Sequence, residues 1–351
     1  MNKFVRYLNK IFIKCLLLLL IAPKDQKKTR LLLVYAVMVV TLFATSIYLR
    51  YEYDSKGLNK KILILYGLHE TTQLCEFLTV LIILYSYRKT HLWQRLYTNV
   101  NILDEQQCHT VIIVAFFVQI FLYIGAIILF NFLYTNFRKL YMIILANLSN
   151  CIHFFYNATL HTLLMSTILE IKRKLVIVNN QSSSDVKIMD VTTMYASINQ
   201  AIEAGKAFNR LFGYQLLIYY FRLFMFLLHI QVDIIVFVIN PETYYYPSTV
   251  LGSVCLFTCC IILETFGPCA LAFACDMVAT EIDNLMTACY AAQEKFHYNS
   301  REYQELQSLS SILGSGVLKF TAAKFVEIKR STILSIMAAA TTYFIAIVQF
   351  Y

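Results

Sequence analysis

Thr332–Tyr351 reads Thr-Ile-Leu-Ser-Ile-Met-Ala-Ala-Ala-Thr-Thr-Tyr-Phe-Ile-Ala-Ile-Val-Gln-Phe-Tyr, 20 residues without a single Asp, Glu, Lys or Arg. As a helix rising ~1.5 Å per residue it covers ~30 Å, the thickness of a bilayer's hydrocarbon core. With Ser331 just before it, the run carries a pattern. Ser331, Ser335, Ala338, Thr342, Ala346 and Gln349 fall on one stripe of a helix with 3.6 residues per turn, and the remaining positions are mostly Ile, Leu, Met, Phe and Val. Two explanations fit a small, polar stripe on an apolar span. One is close packing against another helix through small residues. The other is a face turned to water in a pore. An unpartnered Gln349 amide in lipid is costly, but near a membrane surface it reaches water in either case.

Six more apolar runs precede this one: Leu31–Leu49, Ile62–Tyr87, Thr110–Tyr134, Leu140–Leu169, Leu211–Ile239 and Ser248–Cys275. Each is long enough to span a bilayer, and Gly267-Pro268 is expected to bend the sixth. The predicted fold is an all-α, polytopic membrane protein with seven transmembrane helices. The composition agrees: 59% of the 351 residues are hydrophobic and 15% charged, and the mean hydropathy is +0.60. A soluble fold of this size cannot bury so much apolar surface.

The net charge of +9 does not point to nucleic acid, because the basic residues are scattered between spans and form no aromatic-interleaved face. They read as determinants of topology. With the N-terminus inside, the inner segments hold 23 Lys and Arg and the outer segments six. That bias predicts a cytoplasmic N-terminus and an extracellular C-terminus, the reverse of a G-protein-coupled receptor. Lys3, Arg6, Lys10 and Lys14 before the short run Cys15–Ala22 resemble the start of a signal peptide, but no small-residue cleavage site follows. An uncleaved amphipathic segment at the cytoplasmic surface is expected over residues 1–30.

The inner segments 170–210 and 276–331 are long. Within them, Asn179–Asp185 reads as a loop tip. Glu281–Leu309 reads as a helix continuing span six, with Ile282, Leu285, Met286 and Cys289 at helical spacing. The sequons at Asn147, Asn157 and Asn180 lie in the membrane or inside by this topology and are expected to stay unglycosylated. The ten cysteines show no disulfide or zinc spacing and read as small apolar side chains. No cofactor or metal is expected.

Thr342-Tyr343, five apolar or small residues, then Gln349-Phe350 resembles the TYhhhhhQF signature of insect gustatory receptors. Phe320-Thr321-Ala322-Ala323-Lys324-Phe325, with Ile328, Ser331 and Leu334, resembles that family's approach to its last span. Seven spans, an inside N-terminus and almost no tail extend the resemblance over the chain. The resemblance implies a ligand-gated, non-selective cation channel in the plasma membrane of chemosensory neurons. It implies four subunits, identical or related, whose last spans (332–351 here) surround a pore, above an anchor built from 170–210 and 276–331. The pore would be lined by Ser335, Ala338, Thr342, Ala346 and Gln349, with Gln349 and Phe350 at the gate. Four Phe rings make a constriction that dewets when closed. Sugar receptors of the family carry Glu after the motif tyrosine. Phe344 stands there here, which favours a bitter-type receptor. Odorant receptors share the architecture and are the closest rival reading.

Ionisable groups inside spans are functional candidates by default. Glu70, Glu76, Arg222, Asp233 and Glu264 qualify, with His69, His153, His161 and His229. Arg222 has Glu264 or Glu76 as prospective structural partners, and the histidines have backbone carbonyls. Glu76 or Glu264 would instead serve a secondary transporter as a coupling site, although no internal repeat supports one. No nucleotide loop, HExxH or nucleophile elbow suggests an enzyme. A tastant arriving from outside would meet Tyr66, His69, Glu70 and Gln73 of span two. It would also meet Asn147, Asn150, His153 and Tyr156 of span four and His229, Gln231 and Asp233 of span five. Small permeating cations, lipid and the tastant complete the expected partners.

Overall fold

The computed structural model describes residues 11, 14, 34–38, 40–41, 43–45, 48, 60–100, 114–125, 140–183, 188–239, 250–298, 300–315 and 318–349. Within these, the side chains of 60–66, 140–153, 181–183, 188–192, 236–239 and 250–257 are outside the description. Apolar helices α1 (Val34–Thr45) and α4 (Val114–Gly125) join α2 (Lys60–Ser86), α3 (Thr90–Asn99), α5 (Leu140–Ser183), α6 (Ile188–Ile239), α7 (Val250–Gln293), α8 (Arg301–Gly314) and α9 (Arg330–Gln349). Before α9 stand two short strands, β1 (Thr321–Ala322) and β2 (Val326–Glu327).

Seven of these helices fall on the seven predicted apolar runs. Three are long and apolar enough over described residues to cross a membrane: Thr193–Ile235, Thr258–Gln293 and Arg330–Gln349. α6 is the hub. It packs against α2, α3, α5, α7, α8, α9 and β1, with Phe208, Phe212, Leu216 and Ala204 fully buried along it. Stacked rings attach the outlying helices: Phe43 on Phe77 joins α1 to α2, and Tyr123 on Phe154 joins α4 to α5. Threonines inside α5 give their hydroxyl protons to carbonyls one turn back, Thr162 to Ala158 and Thr167 to Leu163. A hydroxyl satisfied by its own helix needs neither water nor a neighbour.

Two expectations are corrected. Residues 179–183, read as a loop tip, are the last turn of α5, which runs without a break to Ser183. Leu175 and Val178 are buried in the preceding turns, and the helix they anchor continues through the polar residues that follow. The helix predicted over Glu281–Leu309 is two helices. α7 ends at Gln293, and α8 restarts after Ser300, whose hydroxyl caps it by accepting from the Tyr303 N–H at 3.2 Å. Folding back lets Leu285 and Cys289 of α7 and Leu306, Leu309 and Leu313 of α8 bury one another's apolar faces. A feature that the sequence did not announce is a hairpin on the approach to α9. Thr321 pairs with Glu327 and Ala322 with Val326, and Ala323 and Lys324 turn the chain at φ of 49° and 66°.

Candidate pore helix and ligand site

α9 begins on borrowed contacts. Its first backbone N–H, from Arg330, is capped by Asp276 Oδ2 of α7 at 3.0 Å. The Arg330 guanidinium meets the same carboxylate at 3.1 Å and lies 4.6 Å over the Phe273 ring. A carboxylate at a helix start satisfies an orphan donor and complements the helix dipole. Thr332 adds a hydroxyl bond to the Glu327 carbonyl at 2.7 Å, tying α9 to β2.

The hairpin is held by α6. Asn209 donates through Nδ2 to the Lys319 carbonyl and accepts from the Thr321 N–H at 3.0 Å. One turn on, a Cβ at Gly213 would sit 3.1 Å from the Ala323 nitrogen, so glycine lets the two backbones touch. Phe208 packs edge-on against Phe320 at 5.3 Å. These contacts hold two non-glycine residues in the left-handed region, which costs about 1–2 kcal/mol each.

Along α9, Ile333 and Ala340 are buried, and Ile336, Phe344 and Ile347 half-buried, on one face. On the opposite face Ser335, Ala338, Thr342, Ala346 and Gln349 are all exposed. Between these lies a third, apolar and exposed face that includes Leu334, Met337, Ile345 and Val348. Ser335 and Thr342 donate to Ser331 and Ala338 carbonyls at 2.9 Å, so their outward oxygens present lone pairs. Tyr343 of the motif meets Phe224 of α6 edge-on at 5.8 Å. Phe350 lies outside the described residues.

Inside the bundle the ionisable residues fall into two groups. Arg222 of α6 bridges Glu76 of α2 at 2.6 Å and Glu264 of α7. Both sequence-level alternatives for its partner are therefore realised at once. His161 of α5 meets the Gly267 carbonyl at 3.0 Å and Tyr220 donates to the Pro268 carbonyl at 3.2 Å, so the Gly267-Pro268 turn of α7 is tied to α5 and α6. A Cβ at Gly267 would lie 2.2 Å from the Tyr219 hydroxyl.

The second group belongs to the candidate ligand residues. His69 of α2 and His229 of α6 bring their rings to 5.4 Å, and His229 Nε2 lies 4.0 Å from Asp233 Oδ2. Glu70 buries its carboxylate oxygens and Gln73 is half-buried on the same helix as His69. Tyr156 of α5 is fully buried, and its hydroxyl has no hydrogen-bond partner among the described residues. The side chains of Tyr66, Asn147, Asn150 and His153 lie outside the description. Asn157, read in the sequence only as a sequon, is buried with both amide atoms lacking a partner among the described residues. Two adjacent buried polar groups without a partner among the described residues are what an occluded ligand or water would satisfy. The sequence signal for them was the Tyr-Asn pair inside an apolar run.

The description "7tm Chemosensory receptor" matches residues 18–351. The chain belongs to the 7tm chemosensory receptor family. The receptor's fold is similar to that of the insect olfactory receptor OR5 from Machilis hrabei, solved in complex with eugenol. The TM-score is 0.69 at 13% identity, over 99% of this chain and 100% of that one. A second structure of the same olfactory receptor matches with a TM-score of 0.58 at 13% identity, over 94% and 93%. No curated protein matches the receptor's sequence. The receptor is thus an all-α, multi-pass membrane protein of a chemosensory, non-enzymatic family.

Proposed function

We propose that this receptor is a gustatory, ligand-gated, non-selective cation channel opened by a small extracellular tastant, a bitter plant compound. In this reading four subunits, identical or related, place α9 around a central pore, with the N-terminus inside and the C-terminus outside. The carrying observation is α9 itself. Its mean hydropathy reaches 1.8, yet only 6% of that span is buried within the chain, and its small, polar stripe faces away from the helices that hold it. Lined up around an axis, the hydroxyl and amide oxygens of Ser335, Thr342 and Gln349 would meet a cation. The apolar third face would pack on the next subunit. No acidic side chain lies on α9, which suits weak discrimination among cations.

The His69–His229–Asp233 group, with Glu70 and Gln73 on α2, supports a ligand site between α2 and α6, and the buried Tyr156 and Asn157 offer further polar groups on α5. The ligand opens the channel to the extent that it binds the open state better. Glu76 and Glu264 share Arg222, which leaves them as structural charges and weakens the transporter reading. The likeness to a eugenol-bound olfactory receptor supports a second reading, an odorant-type channel.

The test is excised-patch recording, without nucleotides, from non-insect cells expressing the chain, against sugars, plant bitter compounds and volatile aromatics. Currents evoked by bitter compounds, with permeation altered by Gln349→Ala and Phe350→Ala, are expected. Responses to volatiles alone favour the odorant-type reading. Ligand binding without conductance overturns the channel.

A further inference from the structure

Where α3 lies across α6, a cleft of about 190 Å³ opens, lined by Leu92 and Arg95 of α3 and by Glu203, Lys206, Ala207 and Arg210 of α6. Three cations face one carboxylate. That carboxylate is already engaged, with Glu203 Oε1 3.0 Å from Lys206 Nζ. Arg95 and Arg210 have no acidic partner among the described residues, and both stand beside a floor of buried Leu92 and Ala207. Two exposed guanidinium groups beside an apolar floor suit a tetrahedral oxyanion, which each binds through paired N–H donors.

The cleft's position narrows the ligand. α3 starts four residues after α2 ends and is amphipathic. Leu92, Trp93 and Leu96 are buried, while Arg88, His91, Gln94 and Arg95 are exposed. The Trp93 indole donates to the Ser86 carbonyl at 3.2 Å, fixing α3 at the end of α2. Arg210 stands immediately before the apolar run Leu211–Ile239. Both walls therefore meet where the membrane spans stop, the depth of lipid headgroups. Above Arg210 on the same helix face, Tyr214 and Phe221 are exposed and Leu217 half-exposed. The spacing i, i+4, i+7, i+11 makes a continuous apolar track leading from the cleft into the bilayer. A soluble anion would use the cleft alone, whereas a phospholipid uses cleft and track together. The volume is below the ~300 Å³ where small-molecule pockets begin, so it fits a phosphate group and not a tastant.

We infer that this cleft binds the phosphorylated headgroup of an anionic phospholipid of the leaflet it faces, with an acyl chain along Tyr214, Leu217 and Phe221. The site also reaches the pore linker. The turn of α6 that offers Lys206 and Arg210 to the lipid carries Phe208 and Asn209, which clamp the hairpin before α9. Lipid occupancy steadies that turn and with it the hairpin. The inference rests on the membrane placement of α2 and α6 and not on the channel reading.

The test is binding to the purified full chain in detergent. The probes are short-chain phosphatidylinositol 4,5-bisphosphate, short-chain phosphatidylcholine and soluble inositol trisphosphate. Saturable binding of the phosphoinositide is expected. It should weaken roughly tenfold or more in Arg95→Gln/Arg210→Gln, because charge-assisted contacts are lost. An Arg301→Gln/Lys319→Gln control, with the same charge change elsewhere, should bind as the native chain does. Inositol trisphosphate should bind at least tenfold more weakly, since it lacks the chain that occupies the track. Equal binding of phosphatidylcholine, equal binding of the soluble headgroup, unchanged affinity in the double variant, or equal loss in the control each overturns the inference. Leu217→Asp, on the track and outside the cleft, should weaken the lipid and leave the soluble headgroup unaffected. A receptor that binds the lipid but passes no current refutes only the channel reading. One that conducts without binding it refutes only this site.

Discussion

α6 and α9 are equally apolar and live opposite lives. Their spans reach mean hydropathies of 1.6 and 1.8, yet 56% of the first and 6% of the second are buried within the chain. α6 is surrounded by its own protein, and several of its polar side chains are paired within it: Arg222 with two glutamates, Asn209 with the hairpin backbone, His229 beside Asp233. α9 is held at its start by Asp276 and along one face by Ile333, Ala340 and their half-buried neighbours. Hydropathy says that a helix belongs in a bilayer and nothing about what it faces there. In lipid no hydrophobic force draws helices together. Small residues, close backbone approach and polar contacts decide what associates.

The contrast predicts that equally modest substitutions have very different effects on the folded subunit. The largest is expected at Arg222. Arg222→Ala strands Glu76 and Glu264 in the bundle without their cation, a loss of about 3–5 kcal/mol, read as a collapse of thermal stability and surface expression. If that variant keeps its native melting temperature, the polar core of α6 is not what holds α2 and α7. Next is Gly213→Ala, where the added carbon crowds the Ala323 backbone. A cost of about 1–3 kcal/mol should appear in thermal melts, together with a shifted ligand dose–response if the hairpin positions α9.

Asp276→Ala removes the cap and the ion pair at the start of α9. A loss of about 0.5–2 kcal/mol is expected, with faster hydrogen exchange confined to the first turn of that helix. Exchange spread over α7 as well would mean that the contact supports the bundle instead. The smallest effect on the subunit is expected from Ala338→Leu on the outward stripe, within about 0.5 kcal/mol. That substitution should nevertheless abolish conduction or assembly, measured by patch recording and native gel mass. If it unfolds the subunit like Arg222→Ala, the stripe is an internal packing face and the comparison fails.

Much of the architecture was legible in the chain. α2 spans Lys60–Ser86 against a predicted Ile62–Tyr87, and Leu285 and Cys289 lie on the buried face that their spacing implied. Misreadings came where packing outvoted local signals. The polar end of α5 stays helical because Leu175 and Val178 are covered. The turn at Ala323-Lys324 carries neither Gly nor Asn, the residues that announce positive φ. Its support comes from Asn209, 112 positions away from Thr321, and no local window contains that. The candidate site divides the same way. The stripe on α9 was visible in the sequence as a periodicity, whereas Asn157 looked like a sequon until its burial without a partner among the described residues marked it.

By itself the sequence determined what depends on one helix at a time. It determined which segments are apolar enough for lipid, where charge bars entry to the membrane, and which residues share a helical face. Each follows from transfer free energy and the 3.6-residue turn. Only the tertiary structure decided which faces are covered. Arg222 meets both glutamates, His69 meets His229, Asn209 grips the hairpin, and the stripe of α9 is left bare, because helix–helix contact in a membrane depends on shape matched between distant segments.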